Sequence, residues 1–153
     1  MSSMARAFGL GMVLTLALAA LVLTASMRAG QGGTLEVTAT YQGSGEVGPN
    51  NAIWLAVWDT PNIPPDGSVL PIGGAQVTEN GGAATITGLS ASTVYLTGIF
   101  DAQGGWTGVT AVPSGSPAGV YSANAYGAPG PIEVGAGETV EVEFVFTDAF
   151  RMP

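Results

Sequence analysis

A single domain of ordinary size fits 153 residues, and the sequence holds no histidine, no cysteine and no lysine, with only three arginines. That composition excludes Ser-His-Asp and Cys-His catalysis, disulfides and a lipid-anchored cysteine. Hydrophobic residues make up 46% and charged ones 9%, which excludes intrinsic disorder.

The chain opens with a hydrophobic leader. Arg6 precedes an uncharged run from Phe8 to Met27, and the small residues Ala25, Ser26 and Ala29 offer cleavage sites. This three-part form predicts a helical secretory signal over residues 1–29. An uncleaved membrane anchor is the alternative, because a run of 20 apolar residues reaches across a bilayer. On either reading residues 30–153 work outside the cytoplasm, secreted, periplasmic or at the cell surface. The membrane is then a partner only through the leader. Beyond it Arg151 stands alone against all 11 acids, a net charge of −10. A field of that sign repels phosphate backbones and anionic lipid, so no nucleic-acid partner is expected.

Residues 30–153 read as short strands separated by Gly- and Pro-rich turns. Leu35, Val37, Ala39 and Tyr41 alternate with Thr34, Glu36, Thr38 and Thr40, a half-buried strand. Residues 52–58 are apolar on both faces and read as a central strand. Pro61, Pro64 and Pro65 mark an irregular connection, after which residues 75–78 and 83–87 flank a hairpin signal at Asn80-Gly81-Gly82. Residues 93–101 form the next strand. Residues 102–130 are Gly/Pro/Ser-rich and dotted with aromatics, with a short strand expected near residues 107–112. Residues 131–134 and 139–146 close the chain, the latter with Val140, Val142, Phe144 and Phe146 inward and Thr139, Glu141, Glu143 and Val145 outward. About seven short strands with no helical period outside the leader predict an all-β, antiparallel two-sheet sandwich.

The order of these segments carries a resemblance. Gly33-Thr-Leu-Glu-Val-Thr38, Ile53-Trp-Leu-Ala-Val-Trp-Asp59, Ala84-Thr-Ile-Thr-Gly-Leu89, Thr93 to Asp101 and Pro131-Ile-Glu-Val-Gly-Ala-Gly137 follow one another. The string is similar to the prealbumin-like, Ig-like sandwich modules called carboxypeptidase regulatory-like domains, common in exported bacterial proteins. It departs from them at Ser92, where such modules usually carry glycine. The resemblance implies a non-catalytic spacer, adhesin or assembly unit of the cell envelope. Some relatives carry an Asp/Asn-rich turn suggestive of calcium where this chain reads Asp101-Ala-Gln-Gly-Gly-Trp106, but one carboxylate and one amide fall short of the six to eight oxygens calcium takes. The Lys-Asn isopeptide bond of related surface modules is excluded for want of lysine.

The aromatic residues are the remaining candidates. Trp54 and Trp58 share one face of their strand, roughly 13 Å apart at the rise of a β-strand, and Ile53, Leu55 and Val57 share the other. Only one set lines the core. Either the tryptophans are buried or covered by the 102–130 segment, or they form an outer aromatic platform. A glycosidase-like carboxylate pair has Asp59 and Asp101 at strand ends, which a simple meander from 52 to 101 sends to opposite poles. Glu138, Glu141 and Glu143 read as a solvated row that discourages strand addition. The expected function is therefore a non-enzymatic structural or protein-interaction module, binding a protein partner or itself. The alternative is a carbohydrate-binding module stacking sugars on Trp54, Trp58, Trp106 and Tyr126. No cofactor and no metal are expected.

Overall fold

The computed structural model describes residues 31–64, 67–122 and 129–153. The leader and Tyr126 lie outside the described residues. Gly32–Pro153 forms one compact unit. Its strands are β1 (Gly33–Tyr41), β2 (Ile53–Trp58), β3 (Gly73–Val77), β4 (Gly82–Leu89), β5 (Thr93–Phe100), β6 (Ala118–Val120), β7 (Ile132–Glu133) and β8 (Thr139–Phe146). Among the described residues there is no helix, as the dense β-branched and glycine content leads one to expect.

Two sheets enclose one core. The first runs β4-β1-β8, and the second runs β3-β2-β5-β6 with β7 also paired to β5. Strict alternation drives the burial. Leu35, Val37 and Ala39 of β1, Ile53 and Val57 of β2, and Val94 and Leu96 of β5 have no exposed surface. Phe144 and Phe146 of β8 complete the cluster. Each large aliphatic or aromatic side chain so buried contributes about 1.5–3 kcal/mol.

Three expectations change. The sandwich is not wholly antiparallel: β8 lies parallel to β1, from Thr34↔Thr139 to Tyr41↔Phe146. The turn at Asn80-Gly81-Gly82 does not close a hairpin, because β3 and β4 belong to different sheets. It is a corner, held by the Asn80 side chain, which accepts from Tyr41 N at 2.8 Å and donates to Tyr41 O at 2.9 Å. Residues 107–112 form no strand. Gly108 adopts a left-handed φ of 78°, and pairing resumes only at β6.

The C-terminal tail ties the two sheets together. Ala118 N donates to Phe150 O and Met152 N to Ser116 O, so the tail pairs with the first residue of β6 and the segment just before it. Its start is clasped by Asp148. That carboxylate accepts from the Ser44 hydroxyl at 2.8 Å, the Tyr41 hydroxyl at 2.8 Å and Arg151 at 2.9 Å. The Ser44 hydroxyl first, then the Tyr41 hydroxyl and the Ser44 amide, hold the Asp148 carboxyl below its ordinary 3.8. Burial, with help from Asp148, pushes the Tyr41 phenol up to about 12.

These shifts set both limbs of a stability profile. Asp148 is depressed in the folded state, so its contribution is complete above pH 3.8 and is lost as pH falls further, through the folded value. Tyr41 is raised, so its contribution is complete below pH 10 and is lost as pH climbs toward about 12. Urea midpoints measured against pH are expected to show both limbs. Asp148→Asn flattens the acid limb and Tyr41→Phe the alkaline one; unchanged limbs in these variants would show the clasp does not couple to folding.

Candidate functional site

The two sheets present different outer faces. On the β4-β1-β8 sheet, Glu36, Thr38, Ala83, Glu141 and Glu143 line a groove. Parallel pairing sets Glu36 directly beside Glu141, and like charges in that relation destabilise a sheet. Glu141→Gln is expected to raise stability by about 0.3–1 kcal/mol, and added salt to narrow the gap between variant and parent. A urea titration at two ionic strengths checks this; a less stable variant would mean that Glu141 holds a partner the pairing does not account for.

The β2–β5 face is aromatic. Because Ile53, Leu55 and Val57 point into the core, Trp54 and Trp58 point out, each half-buried. Register places Trp58 beside Tyr95 and Trp54 beside Ile99. Trp58 is fixed by its indole N–H, which donates to Thr97 Oγ1 at 2.9 Å. Trp58, Tyr95 and Thr97 thus form a half-exposed strip on the two central strands, where backbone pairing holds them rigid.

Trp54 is placed differently. The Trp106 ring packs edge-on against it, with centroids 5.0 Å apart and planes at 63°. Gly108 sits over the same indole so closely that a Cβ there would lie 2.8 Å from Trp54 Cζ3. Part of residues 102–130 therefore covers Trp54, one of the two arrangements the sequence left open.

The covering loop hangs on Asp101, whose side chain is 1% exposed. Its carboxylate accepts from Gly104 N at 2.9 Å and Trp106 N at 2.8 Å. Asn51 reinforces the base by donating to the carbonyls of Asp101 and Ala102. Trp106 in turn donates its indole N–H to Thr110. Both Asp101 oxygens thus meet N–H donors, and the residue works as a loop anchor. Asp59 and Asp101 end β2 and β5, and because these strands run antiparallel the two acids stand at opposite ends of the sheet. The simple meander does not form, since β4 leaves for the other sheet, yet the separation it predicted holds. Among the described residues no cluster of three acidic side chains is placed to hold a metal ion.

Of the four ligand-binding candidates, Trp54 and Trp106 engage each other, Trp58 stands apart with Tyr95, and Tyr126 lies outside the described residues. The reading from sequence missed Tyr95 and Thr97, which only cross-strand register brings to Trp58. It also missed the anchoring role of Asp101, signalled by the glycine three residues on. Compared with protein families, curated proteins and solved structures, the chain matches none.

Proposed function

We propose that this chain is a non-catalytic sandwich module of an exported protein, of the carboxypeptidase regulatory-like, prealbumin-like kind, that binds a protein partner in the cell envelope or extracellular space. The observation that carries this reading is the Trp58–Tyr95–Thr97 strip. The core is complete on the inner faces of both sheets, so these rings are not needed to fill it. Half-exposed aromatics on a rigid support are the residues that most often dominate protein interfaces. The leader supports an extracytoplasmic place, and the missing histidine, cysteine and lysine favour recognition over turnover.

The purified chain, incubated with envelope extract and chemically cross-linked, is expected to capture a partner. Trp58→Ala and Tyr95→Ala should lose that capture while keeping the parent's melting temperature, and Glu141→Gln should keep it. Capture indifferent to both aromatic substitutions, or turnover of any substrate by the purified protein, would overturn the reading.

Carbohydrate binding is the second reading, favoured by the same fixed indole beside hydroxyl groups, an arrangement on which a sugar ring stacks. The net charge of −10 points to neutral glycans. Binding on a glycan array, lost in Trp58→Ala, would select it over the protein partner.

A further inference from the structure

Among the described residues five strands lie at a sheet edge: β3, β4, β6, β8 and β7, the last only two residues long, preceded by Pro131 and carrying Glu133. An unpaired strand edge is a template for another strand unless something blocks it. On β6, only three residues long, the C-terminal tail takes the start of the strand and the residues just before it, through Ala118 N to Phe150 O and Met152 N to Ser116 O. On β8 the exposed Glu141 and Glu143 alternate along the strand, with Glu138 just before it. On β3 the strand is five residues long, starts at Gly73-Gly74 and follows Pro71. Only β4 lacks a guard over most of its length. Gly82–Leu89 carries no charge and no proline, and it holds the β-branched Thr85, Ile86 and Thr87. Its one irregularity is a register shift near its Leu89 end, opposite Gly33/Leu35.

We propose that the β4 edge is a self-association surface, on which a second copy of this chain adds its own β4 antiparallel about a two-fold axis. The product is a six-stranded sheet in the order β8-β1-β4-β4-β1-β8. Charge decides where two copies of so acidic a chain can meet. Pairing through β8 would set Glu141 and Glu143 of one copy roughly 5 Å from those of the other. Pairing through β4 leaves the nearest glutamates, Glu36 of each copy, three strand spacings apart, roughly 14 Å. That exceeds the screening length of about 8 Å at physiological salt. A two-fold arrangement also closes on itself, so it yields dimers rather than fibres. The contact is independent of the Trp58–Tyr95 strip, which lies on the other sheet, so either can fail without the other.

The absence of cysteine makes the test clean. In the full-length chain, Ala83→Cys, Thr85→Cys and Thr87→Cys each introduce the sole thiol, and they are oxidised mildly, singly and as mixed pairs. Thr139→Cys and Glu143→Cys on β8 serve as controls. The β4 variants are expected to give covalent dimer, roughly tenfold more than the β8 controls, matching the preference that charge and pairing impose. Adding Thr85→Lys to Ala83→Cys or to Thr87→Cys should lower that yield about tenfold, because its ammonium lies beside Glu36 of β1 and guards the edge without disturbing the fold. Unchanged melting of the lysine variant confirms that last point. Equal cross-linking on β4 and β8, as leader-driven clustering would give, overturns the proposal. So does a single monomeric mass for the unmodified chain in sedimentation over a roughly hundredfold concentration range.

Discussion

Substituting Gly98 by alanine is expected to cost about 2–3 kcal/mol of stability, the upper part of the range for overpacking a core. Gly98 lies on the inner face of β5, between Leu55 of β2 and Gly119 of β6. A Cβ there would stand 2.3 Å from Phe144 Cε1 and 2.9 Å from Cζ. The ring has no room to retreat. Phe144 is 1% exposed and stacks on Phe146 at 5.2 Å. Phe146 is itself backed by Gly119, where a Cβ would come within 2.4 Å of its own Cβ. The two sheets must therefore part to admit one methyl group. Urea unfolding followed by circular dichroism measures the loss. Pairing the change with Phe144→Leu should recover more than about 1 kcal/mol relative to the sum of the single effects. Strict additivity would mean that Phe144 is not the obstacle.

Asp101→Ala should cost about 2–3 kcal/mol, the scale of charge-assisted hydrogen bonds lost at a buried site. Two amides, Gly104 N and Trp106 N, lose their acceptor together. Those amides sit in a surface loop that water can reach once it lifts, which keeps the cost from rising further. The effect should concentrate at the loop. With its anchor gone, Trp106 leaves Trp54, so the emission is expected to shift to the red and quenching by acrylamide to increase. Asp101→Asn keeps one carbonyl acceptor and should lose about half as much. Emission and stability unchanged in Asp101→Ala would remove the anchor from this account.

The clearest parts of the fold in the sequence were those with period-two alternation. Strands β1 and β8 each show one apolar and one polar face, and both bury the face they advertise. Strand β2 is apolar on both faces, so local pattern left the direction of Trp54 and Trp58 open. The choice falls out of pairing, since Ile53, Leu55 and Val57 must face Leu35 and Val37 across the core. The parallel partnership of β1 and β8 joins segments about a hundred residues apart, and no local turn announces it. Asn80-Gly81-Gly82 has the chemistry of a tight turn whether the next strand pairs back or crosses to the other sheet. What separates the two outcomes is the side chain of Asn80 bonding to Tyr41, a tertiary contact. Residues 107–112 have strand-forming composition, yet the anchored Trp106 and the left-handed Gly108 hold them over Trp54. The candidate site was legible as a set of tryptophans but not as a pattern of which rings are free. Trp54 and Trp58 share one face of β2 and differ in what lies over them, Trp106 on the first and Tyr95 with Thr97 beside the second.

The central claim is that the sandwich keeps its aliphatic residues inside and offers Trp58, beside Tyr95, to the outside. Acrylamide quenching of tryptophan emission in the parent, in Trp58→Phe and in Trp54→Phe tests it most directly. A quenchable fraction is expected in the parent that falls clearly in Trp58→Phe and scarcely changes in Trp54→Phe. Emission that resists acrylamide in the parent, or a fall confined to Trp54→Phe, would contradict it.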